Sequence, residues 1–140
     1  VADGISNSNR PEKASKLAMQ LLSQMESISC QTIYDLQSSL SAELAEDYFG
    51  SATTFVAAEI DQATHKAKIL SVGDSRAYLI DAQGKWQQIT QDHSILSELL
   101  ADFPDKKEED FATIYGGVSS CLVADYSEFQ DKIFYQEIEI

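Results

Sequence analysis

Two short stretches hold the residues best suited to act on a substrate. The chain opens "VADG", which puts Asp3 and Gly4 at the end of a β-prone run, and "VGDSRAYL" puts Asp74 between two further runs. Aspartates at strand ends offer carboxylate oxygens at the edge of a sheet, and such oxygens suit hard cations, Mg²⁺ or Mn²⁺. Gly4 has no side chain, so its carbonyl could approach an ion closely. A cation held there would lower the pKa of bound water and neutralise charge on a phosphoryl group. Each pair also has a plain structural reading, because Asp-Gly and Gly-Asp are ordinary turn formers. Arg76 reads by default as a strand-end residue or an ion-pair partner. His65, in a hairpin turn, and His93, beside a helix cap, read as structural.

The bulk properties narrow the choice. A length of 140 residues suits one domain over 1–140, and 44% hydrophobic with 24% charged residues favours a packed core over disorder. The net charge is −13, from 23 acidic and 10 basic side chains. Nucleic-acid binders need a basic surface, and anionic membranes repel an acidic one, so neither partner is expected. No apolar run approaches the ~20 residues that cross a bilayer, and no leader is visible, which points to a cytoplasmic protein. Cys30 and Cys121 lie far apart with no ligand spacing. Reduced thiols in packing roles are expected of both.

Helices and strands must then position the two aspartates. Pro11 suits a first helical turn, and Ala14, Leu17, Ala18, Leu21, Leu22, Met25 and Ile28 form an apolar stripe. The spacing predicts a helix from Pro11 to Ser29. Ile33, Leu36, Leu40 and Leu44 predict a second, from Gln31 to Asp47, stopping before Gly50. "TTFVAAEI" reads as a strand buried on both faces. "KAKILSV", "RAYLI" and "KWQQI" follow across turns, predicting a four-stranded meander. "HSILSELLA" returns to helical spacing, with Asp92 or Ser94 as its cap. "DFPDKKEED" reads as a solvated loop, and "KIFYQEIEI" as a last strand. The class is α+β, with helices packed on sheet.

Taken in order, "VADG…AS", a long helix, "GSATTFVAAEI", "KILSVGDSRAYLI" and "WQQITQDHSILSELL" resemble the metal-dependent protein phosphatases of the protein phosphatase 2C family, bacterial type. "VGDSRAYL" followed by "TQDHS" is the specific part, and "IYGGVSSCLVAD" is similar to the stretch before the last core strands. The resemblance implies a β-sandwich flanked by helices in α/β/β/α layers, incomplete at both ends, so that the chain looks like the central part of the domain. It implies two Mn²⁺ or Mg²⁺ ions bridged by Asp3, with the Gly4 carbonyl on one of them. Asp74 would help to hold a possible third ion. The implied activity is hydrolysis of phosphoserine or phosphothreonine in a phosphoprotein substrate, by attack of a metal-held water, in a signalling role.

The chain departs from that pattern after Asp3-Gly4. Bacterial members carry a methionine, paired glycines and a histidine there, where this sequence has Ile5, Ser6, Asn7 and Ser8. The family's other metal-binding carboxylates would lie before Val1 and after Ile140. Two readings follow: a metal-dependent serine/threonine phosphatase, of which this stretch alone is inactive, or a degenerate phosphatase-like domain that binds or regulates.

Overall fold

Pro11, with no N–H to leave unpaired, opens α1 (Pro11–Leu22), and Ala14 and Ala18 on its inner face are fully buried. The computed structural model describes residues 1–114 and 116–140. The predicted helix was longer than the observed one. Beyond Leu22 the chain is captured from outside: the Glu59 carboxylate accepts from the Ile28 N–H at 2.7 Å and the Ser27 hydroxyl at 2.7 Å. Ser29 then caps α2 (Cys30–Tyr48) through a reciprocal box with Thr32, whose hydroxyl accepts from the Ser29 N–H. Met25 and Ile28 still reach the core, but from a connector rather than from the helix.

Ile33, Leu36 and Leu40 of α2 are fully buried and pack with Ala14 and Ala18 against Phe55, Ala57, Leu70 and Val72. Those last four alternate along β2 (Phe55–Asp61) and β3 (Lys66–Val72), as residues on one sheet face must. β2, β3 and β7 (Phe134–Glu139) form an antiparallel sheet in that order. A short β1 (Ala52–Thr53) precedes β2 and pairs with β6 (Leu122–Val123). On the other edge of this stretch lies the opening segment. Val56 N–H donates to Val1 O at 2.9 Å, Thr54 N–H to Asp3 O at 2.9 Å, and Ile5 N–H to Ala52 O at 3.0 Å.

The expected α+β class is observed, with three α-helices and antiparallel sheets among the described residues. Several local expectations are not. The four-stranded meander divides in two: β2 and β3 form a hairpin, whereas β4 (Tyr78–Ile80) and β5 (Trp86–Gln88) pair only with each other. The backbone groups of Gly73 bond to His93 instead, which turns the chain out of the first sheet. β2 is buried at Phe55, Val56 and Ala57 but exposed toward Asp61, so its outer half is not covered on both faces. The expected solvated loop, 102–110, is exposed throughout, but its last three residues open a 3₁₀ helix, Glu108–Ile114, after α3 (Ile95–Asp102). Ser94, not Asp92, caps α3, accepting from Ser97 N–H at 3.1 Å. Cys30 is exposed at the start of α2 rather than packed, while Cys121 is half-buried. Tyr115, within "IYGGVSSCLVAD", lies outside the described residues. Among the described residues no helix is long and apolar enough to cross a membrane.

Candidate functional site

Asp3, Gly4 and Asp74 line one open cleft of about 870 Å³, together with Gly117 and Val118. Asp3 comes from the opening segment, at the end of its pairing with Thr54. Asp74 comes from the turn that leaves β3. Both residues are exposed, and among the described residues no hydrogen bond or ion pair engages either carboxylate. Elsewhere in the chain, Asp61, Asp81, Asp92 and Asp125 all spend side-chain oxygens on neighbouring groups.

Gly4 has a structural reason of its own. A Cβ built on it would sit 2.5 Å from the Pro11 carbonyl oxygen, so the opening segment passes the first turn of α1 at backbone distance. Glycine is required by that approach whatever the cleft binds.

The Asp74 turn is held from two sides. Gly73 has φ +101°, a conformation that L side chains rarely adopt, and a Cβ there would lie 2.7 Å from Thr54 Cγ2. His93 is buried, and its Nδ1 accepts from the Gly73 N–H at 3.1 Å while its own N–H donates to Gly73 O at 2.8 Å. Burial, reinforced by the charge of Lys132, lowers the His93 pKa, which suits a neutral ring with an acceptor nitrogen. Its structural reading thus acquires a definite task. Three residues along, Arg76 Nε donates to both carboxylate oxygens of Asp92, at 2.9 and 3.0 Å, and Nη2 joins the same group. That bonding raises the Arg76 pKa further. Thr90 Oγ1 accepts from the Ala77 N–H at 3.1 Å. "VGDSRAYL" and "TQDHS" therefore bind each other residue by residue.

Thr54 was missed as a functional residue in the sequence. Its N–H bonds the Asp3 carbonyl, its Oγ1 lies 2.7 Å from Ser75 Oγ, and its methyl meets Gly73. The available signal was slight: it is one of two threonines at the head of the β-rich run "TTFVAAEI", and the structure places it between β1 and β2. Cys121 also borders the cleft, and burial pushes its thiol up to about 11, which leaves it protonated and a poor ligand at neutral pH.

The donor set was tested against a metal by its chemistry. Two free carboxylates and a backbone carbonyl on one cleft fit a single hard cation that keeps much of its water shell. They do not fill two coordination spheres. Among the described residues no group of three or more His, Cys, Asp or Glu side chains is placed to hold an ion.

Known proteins resemble the chain in sequence and in fold. No family model matches the chain. It is 34% identical over 124 residues to the serine/threonine phosphatase stp of Listeria innocua, an alignment covering 78% of the chain and 48% of the relative. The structure resembles that of the serine/threonine phosphatase Stp1 from Staphylococcus aureus, with a TM-score of 0.77 and 26% identity over 98% of this chain and 58% of the other. Over most of its length the chain resembles bacterial serine/threonine phosphatases. A third match is in fold alone: the catalytic domain of the phosphatase PstP, solved with two manganese ions, at TM-score 0.67 and 22% identity over 97% of this chain and 60% of that one. The chain spans about half the length of the curated relatives it matches.

Proposed function

We propose that the chain contributes the core of a metal-dependent serine/threonine phosphatase acting on phosphoproteins, with Asp3, Gly4 and Asp74 as its share of the metal site. The observation that carries this reading is the meeting of two carboxylates, free of partners among the described residues, on one cleft of a chain with phosphatase relatives. The two manganese ions of PstP support Mn²⁺ as the cation to test first. Asp3 and the Gly4 carbonyl would hold it from one wall and Asp74 from the other. A divalent cation supplies Lewis acidity and charge neutralisation at a phosphoryl group. The chain's own part is to bring the two carboxylates to one cleft without engaging them among the described residues. The histidines are not available for proton transfer in that space: His93 Nδ1 is spent on Gly73, and His65 sits in the β2–β3 turn. Protonation of the leaving group would fall to water.

The test is hydrolysis of p-nitrophenyl phosphate by the native gene product, with and without Mn²⁺, beside Asp3→Asn. Loss of a charged ligand should reduce the Mn²⁺-dependent rate by at least about 100-fold. Activity unchanged by that substitution would sink the role of Asp3.

A second reading has one observation in its favour, the lack among described residues of a three-ligand cluster. In it, the domain keeps the fold as a binding or regulatory module. It expects no Mn²⁺ binding by the native product at millimolar concentration.

A further inference from the structure

Asp3 and Asp74 come from parts of the chain 71 residues apart, and one side chain touches both of their supports. We propose that Thr54 is a positioning residue that fixes the Asp74 turn against the Asp3 strand through a relay of hydroxyl groups; its consequence for metal binding rests on the metal-dependent reading above.

The geometry gives the relay a direction. The Thr54 hydroxyl lies 3.4 Å from the Asp3 carbonyl, aligned to donate, and 2.7 Å from the Ser75 hydroxyl. It has one proton. Donation to Asp3 O leaves its oxygen as the acceptor for Ser75, so the order is Ser75 O–H to Thr54 Oγ1, and Thr54 O–H to Asp3 O. The Thr54 N–H donates to the same Asp3 carbonyl at 2.9 Å, so both Thr54 donors converge on the residue carrying the first carboxylate. The methyl on the other branch of Cβ packs where a Gly73 side chain would stand. Thr54 is 3% exposed, so water does not compete strongly for these bonds. A threonine is the small side chain that offers a hydroxyl to one loop and a methyl to the other from a single stiff rotamer.

The distance from strand to turn is therefore set by Thr54, not by contact between the carboxylates, which would repel. Serine keeps the hydroxyl and loses the methyl. Valine keeps the shape and breaks the relay.

The experiment uses the ¹⁵N-labelled native gene product and the variants Thr54→Val, Thr54→Ser, Ser75→Ala and the Thr54→Val/Ser75→Ala double. Amide protection at Ile5 and Gly73, whose N–H groups are bonded in the opening segment and in the Asp74 turn, is read by hydrogen exchange without metal, and Mn²⁺ affinity by the EPR signal of the free ion. Thr54→Val should lower protection at both ends of the relay by about tenfold, the effect of losing one buried hydrogen bond. It should weaken Mn²⁺ binding by about 10-fold or more, as loss of a residue that orients ligands does elsewhere. Thr54→Ser should recover most of both effects, and the double variant should be no worse than Thr54→Val. If Thr54→Val lowers the melting temperature but leaves local protection and Mn²⁺ affinity intact, Thr54 is only packing and the proposal is overturned. Additive effects in the double variant overturn it as well. If wild type binds no Mn²⁺ while Thr54→Val still loosens Gly73 and Ile5 together, the relay stands and the metal reading fails.

Discussion

The β2–β3 hairpin ends in two different ways. At its outer end, charges neutralise one another: Glu59 accepts from Lys68 at 2.9 Å, from Ser27 and from the Ile28 N–H, and Lys68 faces Glu59 on one side and Glu137 on the other. At its inner end, neutral groups do the holding. Thr54, Ser75, Gly73 and His93 bond among themselves and, among the described residues, leave the Asp3 and Asp74 carboxylates without partners. The outer end spends its acids on holding the connector before α2 in place. The inner end builds its scaffold from uncharged donors and acceptors, and so keeps its acids free for something else. A site that needs unpaired carboxylates must be supported in this second way, because a nearby cation from the protein would occupy them.

The largest effect that would break this contrast is at Gly73. Gly73→Ala places a methyl against Thr54 at a backbone angle alanine rarely adopts, and should cost about 3 kcal/mol, from strain plus overpacking; urea unfolding measures it. A change below ~1 kcal/mol would show the turn to be less constrained than its neighbours imply.

Acid should separate the two ends more gently. The His93 pKa is lowered in the fold, so its contribution is complete above the unfolded value of about 6.5 and is lost as pH falls through the lowered value. The Glu59 pKa is held down to about 2, chiefly by the Ile28 N–H and then by Lys68 and Ser27. Its contribution is complete above about 4.5 and disappears as pH falls toward about 2. Amide protection at Gly73 should therefore collapse at a higher pH than protection at Ile28. Simultaneous loss would erase the distinction.

The smallest effect concerns the Arg76–Asp92 pair, whose arginine is half exposed. Arg76→Ala should cost no more than about 1 kcal/mol, since exposed ion pairs gain little over water. Thermal unfolding at low and high salt checks it, and the loss should shrink as salt is added.

The sequence made some of this visible and hid the rest for physical reasons. The α2 stripe and the β2–β3 hairpin were legible because periodic burial and a polar turn are local signals. α1 was overextended because its stripe continues through Met25 and Ile28, while the group that ends it, Glu59, lies more than thirty residues away. The meander failed at Gly73 for the same kind of reason: "GDS" is a fair hairpin turn until His93 claims both backbone groups of the glycine. In the cleft, Asp3, Gly4 and Asp74 stood out as strand-end acids and a glycine. Thr54 did not, since a threonine in a β-rich run is what strand propensity alone would place there.

Gly4 makes a poor witness. Its lack of a side chain is demanded by Pro11 at 2.5 Å from the Cβ it lacks, so the glycine reports that the first helix is seated. A lineage that abandoned catalysis would still have to keep it or lose the fold. The informative letter in "VADG" is the aspartate, whose carboxylate no part of the described fold requires.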